Sequence, residues 1–410
     1  DGTTLLPWVS GDDAVFLGGS PAVNNTITIG SNQTVGGLSF GSSSTSGNWI
    51  LSGSGALTFS GAANFSVAAG STAQMTSSLV LSPSNILNKT GAGTLVLSNP
   101  GLVSANISVN EGVLRLQRAG NAWSQGSITV GGGAELAFAA SDTWGNAGTP
   151  SAASLVVNNG TISSNGFFND LGSLTLNGGT IRANGGVIPN FGSFQFNGTV
   201  AVTQDTSIVQ SGSNANINIR NTVFNVGTGA TLDSNAIFQN NQNVLSQSTL
   251  TKSGAGTLIM NGASTYAAGT VVTAGTLIVG NSSALGTGGV TVSGGTLNLA
   301  GFSLANTITL SGGTISGTQL DGAKLVLQGG EVAGNIVTGA VSKTGAGSVT
   351  LSGSNTYAGG TTVSAGTLFA GNSTALGSGA VTVAGGTLNL GSSVLANTIT
   401  LSSGSLAGSQ

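Results

Sequence analysis

Cysteine and histidine are both absent from this chain of 410 residues. Without cysteine there is no disulfide framework, no thiol redox pair and no structural zinc site of the usual thiolate kind. Without histidine, the commonest general base and metal ligand is missing. Charge is also scarce: 8 Lys and Arg stand against 11 Asp and Glu, for a net charge of −3. No basic patch is available to neutralise phosphates, which argues against nucleic acid as a partner. No polybasic or cationic amphipathic segment is present to hold a membrane surface. The apolar runs are only a few residues long, too short to cross a bilayer as a helix, so no direct membrane insertion is expected in this segment. The first residues do not read as a signal peptide, so the chain is taken as mature, processed or truncated. Proline is rare, at 6 residues, and aromatic residues make up 5%.

Glycine is what the chain has in quantity, 70 residues, with Ser, Thr, Asn and Ala supplying most of the rest. Such a composition suggests disorder only when hydrophobicity is low and charge is high. Here 39% of residues are hydrophobic and the mean hydropathy is +0.31, so the chain is read as folded. Residues 252–310 recur 91 positions later without a gap, so that Lys252 maps to Lys343, Tyr266 to Tyr357 and Asn306 to Asn397. Self-similarity at fixed spacing marks a stack of units, each burying its apolar face against its neighbours.

A finer beat runs inside that unit. Gly, a polar residue and an aliphatic residue recur at Leu277, Leu297, Ile315, Val332 and Val349, and a second series runs through Val290, Ile308 and Leu325. Around each, apolar and polar residues alternate, as in Leu297-Asn298-Leu299, which is the period of a strand with one buried face. Glycine pairs and Asn or Ser clusters between them supply turns. Short strands returning about every 17–20 residues describe an all-β chain: a parallel β-helix, or β-solenoid, of about 21 coils. The five aliphatic residues named first are expected in one inward row. Upstream the beat is less regular. The expected organisation is an N-terminal cap over residues 1–20, irregular coils over 21–250 with loops near 139–153 and 234–249, and regular repeats over 251–410. No run of ten-residue alternating strands with aromatic girdles closes the chain, and residue 410 falls inside a repeat, so the native protein is expected to continue.

Three strings then point to a family: NKTGAGTLVLS from Asn88, TKSGAGTLIMNGASTYAAGTVVTAGTL from Thr251 and SKTGAGSVTLSGSNTYAGGTTVSAGTL from Ser342. They resemble the passenger-associated transport repeat, also called the autotransporter-associated β-strand repeat, of bacterial surface proteins. The first string lacks the tyrosine of the other two. The resemblance implies a single right-handed β-helix, export by the type V pathway, and an extracellular or cell-surface location.

Candidate sites are few. Glycoside hydrolysis needs two carboxylates facing one cleft, and the acids here are scattered. Asp205 with Arg182 and Arg220 is the one acid–base grouping that coil spacing brings near, and a surface charge pair explains it more simply. No catalytic, metal or cofactor site is therefore assigned. Asn306 and Asn397, with Asn298 and Asn389, are read as turn and stacking amides ahead of carbohydrate contacts. Phe167 and Phe168 cannot both face inward on a regular strand, so they form the candidate contact surface. The leading reading is a secreted, non-enzymatic structural protein: a rod, stalk, sheath or filament, able to self-associate end to end or laterally. An adhesin binding glycans or host surfaces is the second reading, and a β-helical polysaccharide-degrading enzyme is a distant third.

Overall fold

The computed structural model describes residues 9–17, 24–41, 46–80, 86–98, 106–119, 126–144, 153–185, 192–240 and 248–408. Among these there is no α-helix; a three-residue 3₁₀ turn, Gly322–Lys324, is the only helical piece. The strands pair in parallel and form a β-solenoid of about 16 turns. That is fewer than the 21 expected from a uniform step. The early coils are longer: paired residues lie 24 apart at Asn24 and Asn48, and 26 apart at Glu135 and Thr161. In the later repeats the spacing shortens to 19 at Thr257 and Thr276 and 17 at Thr314 and Glu331.

The chain divides into two compact units, residues 1–200 with 205–217, and residues 201–204 with 218–410. In the first unit, one inward column runs Leu38, Phe65, Lys89, Val109, Val130, Val157, Leu176. A second runs Leu95, Leu114, Leu136, Ile162, Ile181. All of these side chains are buried. Column stacking follows from the period of two: once one residue of a strand faces in, its second neighbours must too. Burying each Leu, Ile or Val in this way contributes roughly 1.5–3 kcal/mol.

In the second unit the expected row holds from Leu277 through Leu297 and Ile315 to Val332. Its next member is Leu351, not Val349, because Val349 pairs with Gly330. The strand Gly330–Val332 places Gly330, which stacks on Gly313 of the coil above, opposite Val349 of the coil below, so the next coil engages two residues out of the expected step. A slip of two keeps the same face inward, and Val349 and Leu351 are both fully buried. The second expected series, Val290, Ile308 and Leu325, is in register.

Residues 1–8 and 18–23, most of the expected cap, lie outside the described residues. Ala14–Phe16 is a strand paired with Leu38–Phe40, and the rings of Phe16 and Phe40 stack at 5.1 Å. Of the two expected loops, residues 145–152 and 241–247 likewise fall outside. The approach to the first turns inward. Trp144 is fully buried, its backbone N–H donating to Asn169 Oδ1 at 3.0 Å, and Asn169 Nδ2 donates to the carbonyl of Ala140 at 3.2 Å.

Candidate functional site

Among the described residues the charged side chains are spread over many coils. Asp205 and Arg182 are both exposed on the first unit, and Arg220, in the second, is half-buried. The other acids have local structural work. Asp233 accepts from Asn261 Nδ2 at 2.7 Å, Asp321 from the N–H of Ala323 at 3.0 Å, and Glu111 from the N–H of Gly91 at 3.0 Å. Asp170 is fully buried and accepts from Gln195 Nε2 at 2.5 Å. No group of three or more Asp or Glu residues that could hold a metal ion occurs among the described residues.

The aromatic candidate fares poorly on geometry. Phe168 is buried at 4% exposure and Phe167 is half-buried. Asn169–Leu171, the strand that follows, carries three successive buried residues, so this stretch escapes simple alternation. Phe168 is thus interior, and the pair offers no broad aromatic face.

The repeat lysines are the feature that sequence reasoning passed over. Lys89, Lys252 and Lys343 open the three repeat strings, and each is fully buried within a column of apolar side chains. Lys252 stacks between Phe224 and Val272, and Lys343 between Leu327 and Val363. Each stem packs in the core while the ammonium turns to the adjoining glycine turn. Lys252 Nζ donates to the carbonyls of Ser253 and Gly254, both at 2.7 Å, and of Ala274 at 3.1 Å. Lys89 repeats the set with Thr90 at 2.8 Å, Gly91 at 2.6 Å and Glu111 at 3.0 Å. Lys343 donates to Gly345 and, at 3.1 Å, to Ala365. Burial opposes the charge, pulling Lys89 and Lys252 from 10.5 down to about 8, with Glu111 opposing the shift at Lys89; Lys343 is lowered by the same cause. The glycines of the motif make room. Gly275 has φ +64°, and a Cβ there would stand 2.4 Å from the carbonyl oxygen of Gly254 and 2.7 Å from Lys252 Nζ. The available signal was the alternation Leu250-Thr251-Lys252, which places the lysine on the same side as the leucine.

Tyr266 and Tyr357 are buried, their hydroxyls paired with Thr270 Oγ1 at 2.7 Å and Thr361 Oγ1 at 2.6 Å. Burial raises both phenols, Tyr357 to about 12, despite those hydrogen bonds. Asn298 and Asn389 make turns, accepting from the N–H of Ala300 at 2.8 Å and of Gly391 at 2.9 Å.

Above each tyrosine lies a surface depression. The first, about 410 Å³, is lined by Ser264, Thr265, Ser282, Ser283, Thr287 and Asn306 around Gly286. The second, about 390 Å³, has Asn355, Thr356, Ser373, Thr374, Ser378 and Asn397 around Gly377. Each residue of the second is its counterpart's position plus 91, and neither depression has a charged or aromatic wall. The build is explicit in the sequence NSSALG. Asn281 Oδ1 accepts from the N–H of Ser283 at 2.9 Å, closing a turn that leaves Ser282 and Ser283 exposed while Ala284 and Leu285 are buried. Gly286, at φ +64°, is pressed against the tyrosine: a Cβ would come within 2.2 Å of the Tyr266 carbonyl oxygen. From the next coil, Asn306 Nδ2 donates to the carbonyls of Gly286 at 3.1 Å and Gly288 at 2.6 Å. Asn397 does the same with Gly377 at 3.0 Å and Gly379 at 2.8 Å. The recurrent asparagines flagged by sequence are therefore cross-coil clamps at 306 and 397.

Three segments, residues 87–116, 250–279 and 341–368, match the family model of the passenger-associated-transport-repeat. No curated protein and no solved structure matches the chain. The chain thus carries this repeat on a parallel β-solenoid, the arrangement of an autotransporter passenger-like repeat protein. The three matched segments each contain one buried lysine cradle.

Proposed function

We propose that this chain is an exported, non-enzymatic scaffold of the bacterial cell surface, its solenoid units forming the shaft of a stalk, sheath or filament. The observation that carries the reading is the use of the repeat motif. Its lysine and asparagine tie one coil to the next, through Lys252 to Ala274 and Asn306 to Gly286 and their counterparts 91 residues on, while its tyrosine hydroxyl holds a threonine within the same coil. Residues spent in this way hold a backbone in register and leave little for chemistry. Parallel ladders satisfy nearly all backbone groups internally, which suits a surface exposed to proteases. Self-association, lateral or end to end, belongs to the same reading, because a net charge of −3 over 410 residues offers little repulsion between copies.

Electron microscopy of the native protein on cells and after purification, with particle mass measured over a concentration series, tests this. Extended particles or fibres, with mass growing with concentration, are expected. Compact monomeric particles that cleave a polysaccharide panel would overturn it.

A further inference from the structure

We propose that the paired depressions at Asn306 and Asn397 are binding sites for an uncharged, polyhydroxylated ligand, a neutral polysaccharide chain that engages both. This goes beyond the scaffold role and does not depend on it.

Both amide hydrogens of Asn306 are committed to backbone carbonyls of the preceding coil, and the same is true of Asn397. That commitment fixes which end of each amide faces the carbonyls, since an oxygen there would oppose two acceptors. Asn306 is only 6% exposed, yet its Oδ1 meets no donor among the described residues. It is a held acceptor at the depression's wall. Around it stand the hydroxyls of Ser282, Ser283 and Thr287, all on exposed residues, each able to donate and accept.

A fixed amide oxygen ringed by adaptable hydroxyls, with no charge in the wall, suits a ligand that offers many hydroxyls of its own. An anionic ligand would meet no cation, and a cation no carboxylate. The duplicate site supplies the second line of argument. The ladder carries Ile308 to Leu325, Leu327 to Lys343, Val341 to Thr361, Thr361 to Val381 and Val381 to Ile399. The two asparagines thus lie five coils apart, about 24 Å at roughly 4.8 Å per coil. Both sites belong to the second unit, so one extended chain can reach both. Each site, shallow and without an aromatic platform, should bind weakly, and a chain spanning both should bind more tightly by effective concentration alone.

Fluorescence-labelled maltoheptaose, cellohexaose and chitohexaose serve as neutral probes, with hyaluronan as the charged control, read by anisotropy against the full chain. The proposal expects saturable binding of at least one neutral probe at micromolar to millimolar concentration and none of hyaluronan. The double variant Ser282→Glu with Ser373→Glu alters two exposed rim positions, so folding, checked by circular dichroism, should be kept. It should weaken binding at least tenfold. Each single variant should lose the gain shown by a longer chain of the same sugar while keeping single-site affinity. Thr287→Val with Ser378→Val provides a second, uncharged disruption and should also weaken binding. Absence of saturation with all three neutral probes at 10 mM, equal binding by the variants, or preference for hyaluronan would each overturn the assignment. None of these results would bear on whether the chain forms fibres.

Discussion

Replacing Lys252 with methionine should destabilise the second unit by about 2–4 kcal/mol, although the substitution puts an apolar residue into an apolar column. Methionine keeps most of the stem's volume, so little is lost in packing. What disappears is the ammonium, and with it two hydrogen bonds at 2.7 Å and one at 3.1 Å. A hydrogen bond from a charged donor contributes roughly 1.5–3 kcal/mol, and a buried acceptor left unpaired costs about 1–3 kcal/mol. Against that stands the removal of a buried charge, whose desolvation costs several kcal/mol. The two short bonds and the carbonyls they would abandon tip the balance toward loss. Urea unfolding of the full chain, with hydrogen exchange at the Gly254 and Gly275 amides as the local reporter, measures the effect. Lys324→Met, at a half-buried turn position, is the control and should shift stability by less than about 0.5 kcal/mol. Equal effects of the two substitutions would refute the view that the repeat lysine ties coil to turn.

Leu297→Asp buries an unpaired carboxylate in the column and should cost several kcal/mol, whereas Asn298→Asp faces outward from the same strand and should cost about 1 kcal/mol or less; thermal melts of both decide whether the inward and outward assignments are right. Gly286→Ala should lower the melting temperature clearly, because the residue sits at φ +64° with a Cβ only 2.2 Å from the Tyr266 carbonyl oxygen, while Gly301→Ala, with open space around its Cβ, should be nearly silent. Lys89 and Lys252 should titrate near 8, read from their side-chain εCH₂ resonances, where an unfolded lysine titrates at 10.5. Between those values the unfolded chain retains protons that the folded chain has released, so stability should rise with pH across that window and fall as pH drops through 8; a fall in stability on going from pH 8 to 10 would contradict the depressed values.

Much of this architecture was legible from residue order. The 91-residue repeat, the strand alternation and the glycine turns are local or periodic properties, and a period of two leaves no freedom about which neighbours share a face. Column membership from Leu277 to Val332 followed directly. The candidate site was legible only in part. Asn306 and Asn397 stood out by recurrence, but the hydroxyls beside them are common residue types in this chain and acquire meaning only when the turn at Asn281 sets them around a glycine floor.

Other features had to wait for tertiary structure, each for a physical reason. The pairing of Val332 with Leu351 depends on how a glycine-bearing strand meets the next coil, and a slip of two residues leaves no trace in an alternating pattern. The inward turn of Phe168 depends on a stretch of successive buried residues that breaks the alternation. The burial of Lys252 runs against its charge. It becomes favourable only because the glycine turns of two successive coils bring three carbonyl oxygens to one point. Sequence by itself determined the rhythm of the coil and the face each residue shows. Register between coils, and the partners that make a buried charge tolerable, were decided only where separate coils meet.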